Sequence, residues 1–167
     1  VSLTEGRDIA AFQYEPEFAR SGIELSPWVM PLSNRVYEFP GLARETFHGL
    51  PGLLADSLPD RFGHALIDAW LATQGRSPES FNAVERLCYI GARGMGALEF
   101  RPTTGPQQRK THAVDVDALV ALASEVLTHR NNLRGYFSEA GREHALREIL
   151  SVGTSAGGAR AKAVIAW

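Results

Sequence analysis

Apolar residues recur most clearly between positions 62 and 70, where Phe62, Leu66, Ala69 and Trp70 follow helical spacing. Ser57-Leu58-Pro59-Asp60 precedes them as a helix start, with a serine cap, proline in the first turn and a carboxylate three residues on. Gly75 stands where that helix should stop. Ser77-Pro78-Glu79-Ser80 restarts a helix with Phe81, Val84, Leu87 and Cys88 on one face. Gly91 to Gly96 then reads as a loop, and Ala97 to Arg101 as a strand ended by Pro102. Upstream, Asp8 to Tyr14 reads as a strand carrying Ile9, Ala11, Phe12 and Tyr14. Short strands and turns are expected around Ile23-Glu24-Leu25 and Val36-Tyr37-Glu38-Phe39, between Pro16, Gly22, Pro27, Pro31, Pro40 and Gly41. Phe47, Leu50, Leu53 and Leu54 belong to a short helix or turn, because Pro51 and Gly52 interrupt the run. Downstream, Asp115 or Asp117 should cap a helix bearing Val116, Leu119, Val120, Ala123 and Leu127. A second helix, Glu139 to Leu150, should turn Ala145, Leu146, Ile149 and Leu150 inward. The predicted core lies in Leu53–Trp70 and Phe81–Phe100, with Phe62, Leu66, Trp70, Leu87 and Phe100 largely buried.

These elements make an α+β chain of short strands and helices. The polar stretch Thr103 to His112 is the best linker candidate, which divides the chain into residues 1–102, a linker 103–112 and a segment 113–167. At 167 residues the chain suffices for one substantial core or two small units. Hydrophobic content of 44% and charged content of 22% are those of a globular protein. A net charge of −2 and a pI near 6.2 give no global electrostatic case for nucleic acid or an anionic membrane. No apolar run approaches the ~20 residues of a membrane helix, and Glu5, Arg7 and Asp8 interrupt any signal-peptide pattern. A single cysteine, Cys88, fits a reducing cytoplasm and reads as a core residue.

Most candidate sites have a structural explanation. Asp56 and Asp60 lie four apart, but Asp60 is accounted for as a helix-start residue. His48, His64, His112, His129 and His144 are scattered, and without a second cysteine they suggest no metal site. Gly91-Ala92-Arg93-Gly94-Met95-Gly96 follows a helix and precedes a strand, the wrong order for a dinucleotide loop, so a tight connection is expected. Arg130, Arg134, Arg142 and Arg147 interleave with Glu139, Glu143 and Glu148, the pattern of a solvated helix with cross-turn ion pairs.

One segment stands apart. Gly153-Thr154-Ser155-Ala156-Gly157-Gly158-Ala159-Arg160-Ala161-Lys162 is a glycine-rich, hydroxyl-bearing stretch with two cations, followed by apolar Ala163 to Trp167. Glycines let backbone N–H groups curl around an anion, and Arg160 or Lys162 adds charge. A Walker loop would need Lys-Ser/Thr after the last glycine, but Ala159 follows Gly158. A strand–glycine loop–strand hairpin is the protein-kinase arrangement. Ordinary hairpin connections share this composition, so both readings stand on the residues alone.

Three blocks in order resemble the HipA family of bacterial serine/threonine kinases, the toxins of HipB–HipA toxin–antitoxin pairs. They are Leu53-Leu54-Ala55-Asp56-Ser57-Leu58-Pro59-Asp60-Arg61-Phe62-Gly63, Tyr89-Ile90-Gly91-Ala92-Arg93-Gly94-Met95-Gly96-Ala97-Leu98-Glu99-Phe100, and Gly153 to Lys162. The resemblance implies an N-terminal subdomain leading into the first strands of a kinase small lobe. It implies that Gly153 to Lys162 binds ATP phosphates, with Mg in the complete kinase. It implies autophosphorylation of a loop serine seven residues before the loop lysine, which is Ser155 here. Ser151 and Thr154 are neighbouring hydroxyls. A phosphate dianion cannot share that cradle with ATP, so the loop must leave. A HipB-like helix-turn-helix antitoxin is the implied partner, with any DNA contact indirect, and an aminoacyl-tRNA synthetase is the family's precedent as protein target.

The departures matter equally. The family's strand lysine, catalytic aspartate and magnesium-binding aspartate lie farther along such chains than Trp167, so the sequence reads as an N-terminal fragment without catalytic residues, inactive alone. The strand expected before the Asp8 region is shortened or absent. A second reading is a non-catalytic interaction subdomain that binds and restrains a separate HipA-type kinase or antitoxin.

Overall fold

The computed structural model describes residues 1–4, 8–94, 97–105, 124, 128, 146, 149 and 150. It is α+β. Chain contacts divide it into one unit of Val1–Ser57 with Asn82–Val84, and another of Leu58–Phe81 with Glu85–Trp167.

The first unit begins with β1 (Ser2–Thr4), antiparallel to β2 (Ile9–Ala11) in the register Ser2↔Ala11, Leu3↔Ala10 and Thr4↔Ile9. The leading strand is thus present and three residues long. Ala10 is fully buried between half-buried neighbours, and its N–H donates to the Gly49 carbonyl at 2.8 Å. A Cβ at Gly49 would fall on the Asp8 carbonyl, and Gly49 has φ +77°, so glycine is required twice over. Beyond β2, pairing reduces to one bridge between Phe12 and Tyr37, with N–H to carbonyl distances of 2.9 and 2.7 Å.

Aromatic side chains replace the missing ladder. Tyr14, Met30 and Tyr37 are buried together, with Phe12, Phe18, Leu32 and Phe39 among the side chains packed around them. Phe12 and Tyr14 meet edge to face at 4.8 Å, and Tyr14 stacks on Phe18 at 5.6 Å. No strand forms at Ile23–Leu25 or Val36–Phe39, and Ile23 and Leu25 are exposed. A short helix that the sequence does not predict, α1, forms at Pro16–Ala19, and the short helix or turn expected around Phe47 to Leu54 is present as α2 (Arg44–Phe47) and α3 (Gly52–Ala55).

The second unit is organised by α4 (Arg61–Thr73). The cap is Asp60 rather than Ser57: its Oδ1 accepts the Gly63 N–H at 2.8 Å, and Leu58 and Pro59 are buried ahead of it. The helix stops as expected at Gly75, with φ +70°. Gly75 N–H donates to Ala72 O at 3.1 Å and Arg76 N–H to Leu71 O at 2.9 Å, the paired bonds of a Schellman end. Ser77 opens a 3-10 turn, Pro78–Ser80, and α5 follows at Ala83–Ile90. Phe81 is therefore buried from an extended position between the two, not from a helix face.

Leu66, Ile67, Ala69 and Leu71 of α4 form one core with Phe81, Tyr89, Leu146 and Leu150. Leu66 and Leu87 are buried as expected, whereas Phe62, Trp70 and Phe100 are only half-buried. Leu146, Ile149 and Leu150 are helical and lie in or against this core. Ala97–Arg101 is not a strand; Phe100 N–H makes one return bond to Gly91 O at 3.1 Å. The helix proposed after Asp115 or Asp117 lies outside the described residues except for Ser124 and Thr128, both helical and joined by Thr128 Oγ1 to Ser124 O at 3.0 Å.

Candidate functional site

The residues singled out for phosphate binding, Gly153 to Lys162 with Ser155, lie outside the described residues. What the structure does describe is the root from which that segment departs. Leu150, three residues before Gly153, is fully packed, with 1% of its surface exposed.

Arg93 reaches this root from the 3-10 turn Gly91–Arg93 that follows α5. Its Nη1 donates to the Leu150 carbonyl and its Nη2 to the Tyr89 carbonyl. The guanidinium lies over the Tyr89 ring, 4.9 Å from its centroid. Gly91, with φ +59°, makes the turn possible, and a side chain there would overlap Thr103. Thr103 to Gly105 returns along the end of α5, where Thr104 N–H donates to Cys88 O at 3.0 Å. A Cβ at Gly105 would land on Arg93 Nη2 and the Tyr89 carbonyl, so glycine lets the backbone close over the clasp.

The clasp is poorly solvated. Burial holds the Arg93 guanidinium below its ordinary value, opposed by the Tyr89 side chain. Burial pushes the Tyr89 hydroxyl well above the usual tyrosine range. Arg93 Nε and Tyr89 Oη are buried and make no hydrogen bond of good geometry among the described residues, although the two side chains act on each other. The tight connection expected over Gly91–Gly96 is described as far as Gly94 and opens with a 3-10 turn, and nothing in Gly-Ala-Arg-Gly signals that its cation turns inward.

A second polar tie joins α4 and α5. Arg86 donates to Asp68 Oδ1 at 2.8 Å and contacts His64 Nδ1 at 3.2 Å, with only 12% of its side chain exposed. Asp60 is engaged in its cap, and Asp56 follows α3 at the surface. Among the described residues no group of three or more His, Cys, Asp or Glu could hold a metal ion. Among them, too, no helix is long and apolar enough to cross a membrane.

The first unit carries a feature that the sequence reading missed. Trp28 is 95% exposed, in a loop that also exposes Ile23, Leu25 and Val29. The loop is held firmly: Tyr14 Oη donates to Met30 O at 2.9 Å, and Tyr37 Oη donates to Pro31 O. Pro27 and Pro31 flanking an aromatic were the available signal.

No curated protein and no solved structure matches the chain. The sequence model of the HipA N-terminal domain matches residues 2–101, which takes in β1, β2, α4, α5 and Arg93. With well over half its length matched by that domain, the chain belongs to the HipA family.

Proposed function

We propose that this chain is the N-terminal part of a HipA-like serine/threonine protein kinase, a toxin that phosphorylates a protein target with ATP. The HipA N-terminal domain match over residues 2–101, with the glycine-rich block following it in sequence, carries the reading. In this proposal Gly153 to Lys162 cradles ATP phosphates and Arg160 or Lys162 supplies positive charge. ATP and Mg would bind in the complete kinase, where the metal would supply charge neutralisation at the phosphates. Ser155 is the autophosphorylation site, and its phosphate displaces the loop. The partner is a HipB-like antitoxin, the target is of the aminoacyl-tRNA synthetase class, and the setting is cytoplasmic.

The second reading, an interaction subdomain that restrains a separate HipA-type kinase or antitoxin, is favoured by the anchored loop bearing exposed Trp28. A large aromatic held on a rigid loop spends little conformational entropy on docking.

The test is phosphosite mapping after incubation of the complete kinase with Mg-ATP, with nucleotide titration of variants. Ser155→Ala should keep ATP binding and lose loop phosphorylation. Gly157→Val should weaken ATP by placing a branched side chain where backbone must approach phosphate. Phosphate found only outside Ser151–Ser155, with Gly157→Val binding ATP normally, returns the segment to an ordinary hairpin. Under that outcome, loss of kinase or antitoxin binding in Trp28→Ala would establish the second reading.

A further inference from the structure

The HipA N-terminal domain match ends at residue 101, but the core that α4 builds does not end there. Leu66, Ile67, Ala69, Leu71, Phe81 and Tyr89 all lie inside the matched range. They share their cluster with Leu146 and Leu150, which lie beyond it, and Ile149 packs against the same cluster. Leu146 and Leu150 are 0% and 1% exposed, as deep as the buried leucines of α4 itself. Spaced four apart in helical conformation, they occupy one helix face, with half-buried Ile149 beside them. The polar bonding runs the same way. One guanidinium, that of Arg93, donates both to Tyr89 O in α5 and to Leu150 O, so backbone and side chains of the later stretch are held together.

We propose that Leu146, Ile149 and Leu150 complete the HipA N-terminal domain of this chain: the apolar face made by α4, Phe81 and Tyr89 is an intramolecular docking surface for them, and α4 and α5 do not stay folded without them. This goes beyond the kinase reading and does not depend on it. With the two leucines lifted away, that face would meet water. A small domain is folded by a narrow margin, and two fully buried leucines are a large share of it. The consequence is one shared equilibrium. Whatever loosens the 146–150 stretch loosens α4 and α5, and a partner that grips α4 or α5 steadies the stretch in return.

The test is amide hydrogen exchange of the full chain, read at Leu66, Ile67 and Leu71 in α4 and at Leu87 in α5. Leu146→Asp/Leu150→Asp ejects the stretch, because two unpaired carboxylates cannot be buried in an apolar core. Once exposed to water the same carboxylates do no harm, so a domain complete in itself would keep its protection. The expected result is loss of protection at all four amides, and retained protection overturns the proposal. Leu150→Ala should raise exchange at these amides about a hundredfold, the order for a buried leucine cut to alanine. Parental rates in that variant are equally contrary. Ser124→Asp/Thr128→Asp places the same charges at two exposed helical positions and should leave protection unchanged. Loss of protection there as well would assign the effect to charge instead of to the core, and the proposal would fall.

Discussion

Leu66→Ala removes the side chain at the centre of the second unit. Leu66 has no exposed surface and lies one helical turn from half-buried Phe62 and Trp70, in the core that Phe81, Tyr89, Leu146 and Leu150 complete. The truncation deletes roughly three carbons, worth ~2.4 kcal/mol at ~0.8 kcal/mol per buried methylene. The cavity term adds to this according to how far the surroundings collapse. Here collapse is resisted, because Trp70 and Phe81 each pack against Tyr89, at 4.8 and 6.2 Å between ring centroids. The cost should therefore sit within the upper part of the Leu→Ala range, about 3–4 kcal/mol. Urea denaturation followed by tryptophan fluorescence measures it, with the m-value compared between variant and parent to confirm a common transition. A loss below ~0.5 kcal/mol with an unchanged m-value would mean that α4 does not bury this face.

Asp60→Ala should cost about 1–2 kcal/mol through the lost cap and dipole interaction, with Asp60→Asn milder because it retains an acceptor. Ser57→Ala should be nearly silent in the same urea titration, and the reverse ranking would restore Ser57 as the cap. Tyr89→Phe removes a buried hydroxyl that makes no hydrogen bond of good geometry among the described residues and has only the Arg93 side chain acting on it, so at neutral pH it should cost less than ~1 kcal/mol; a larger loss would show that the hydroxyl is bonded. The same variant tests alkaline behaviour. Because burial raises the Tyr89 value, the folded chain holds its proton longer than the unfolded chain, and stability falls as pH rises from ~10, the ordinary tyrosine value, toward the folded one. Tyr89→Phe should flatten that decline, and an identical pH profile would refute it.

The helices of the second unit were legible because their signals are local. Phe62, Leu66, Ala69 and Trp70 share a stripe whatever they pack against, and Gly75 can adopt a left-handed stop that a β-carbon disfavours. Ser57 and Asp60 were confused because both are good caps; burial of Leu58 and Pro59, a tertiary fact, decides for Asp60. The strands expected at Val36–Phe39 and Ala97–Arg101 failed for a related reason. A strand needs a partner edge, and propensity does not report one. Tyr37 finds only Phe12, and its ring and hydroxyl are held by Tyr14 and Pro31 instead of by a ladder. The glycine-rich segment is legible as a motif but lies outside the described residues, and the Arg93–Leu150 contact is not legible, because the two residues meet across 57 residues of chain.

That separation also decides what kind of contribution the clasp makes. Bringing Leu150 to Arg93 closes a long loop, but closure entropy grows only logarithmically with length, and burial of Leu146 and Leu150 can meet it without a charge. Burying a guanidinium carries its own desolvation penalty, consistent with the lowered Arg93 value, and this offsets much of what its hydrogen bonds return. Net stability is therefore a poor account of why arginine stands there. Direction is a better one, since two bonds from a planar fork constrain a carbonyl in a way that equal apolar area does not. The family domain thus fixes the direction of the Leu150 carbonyl as well as burying its side chain.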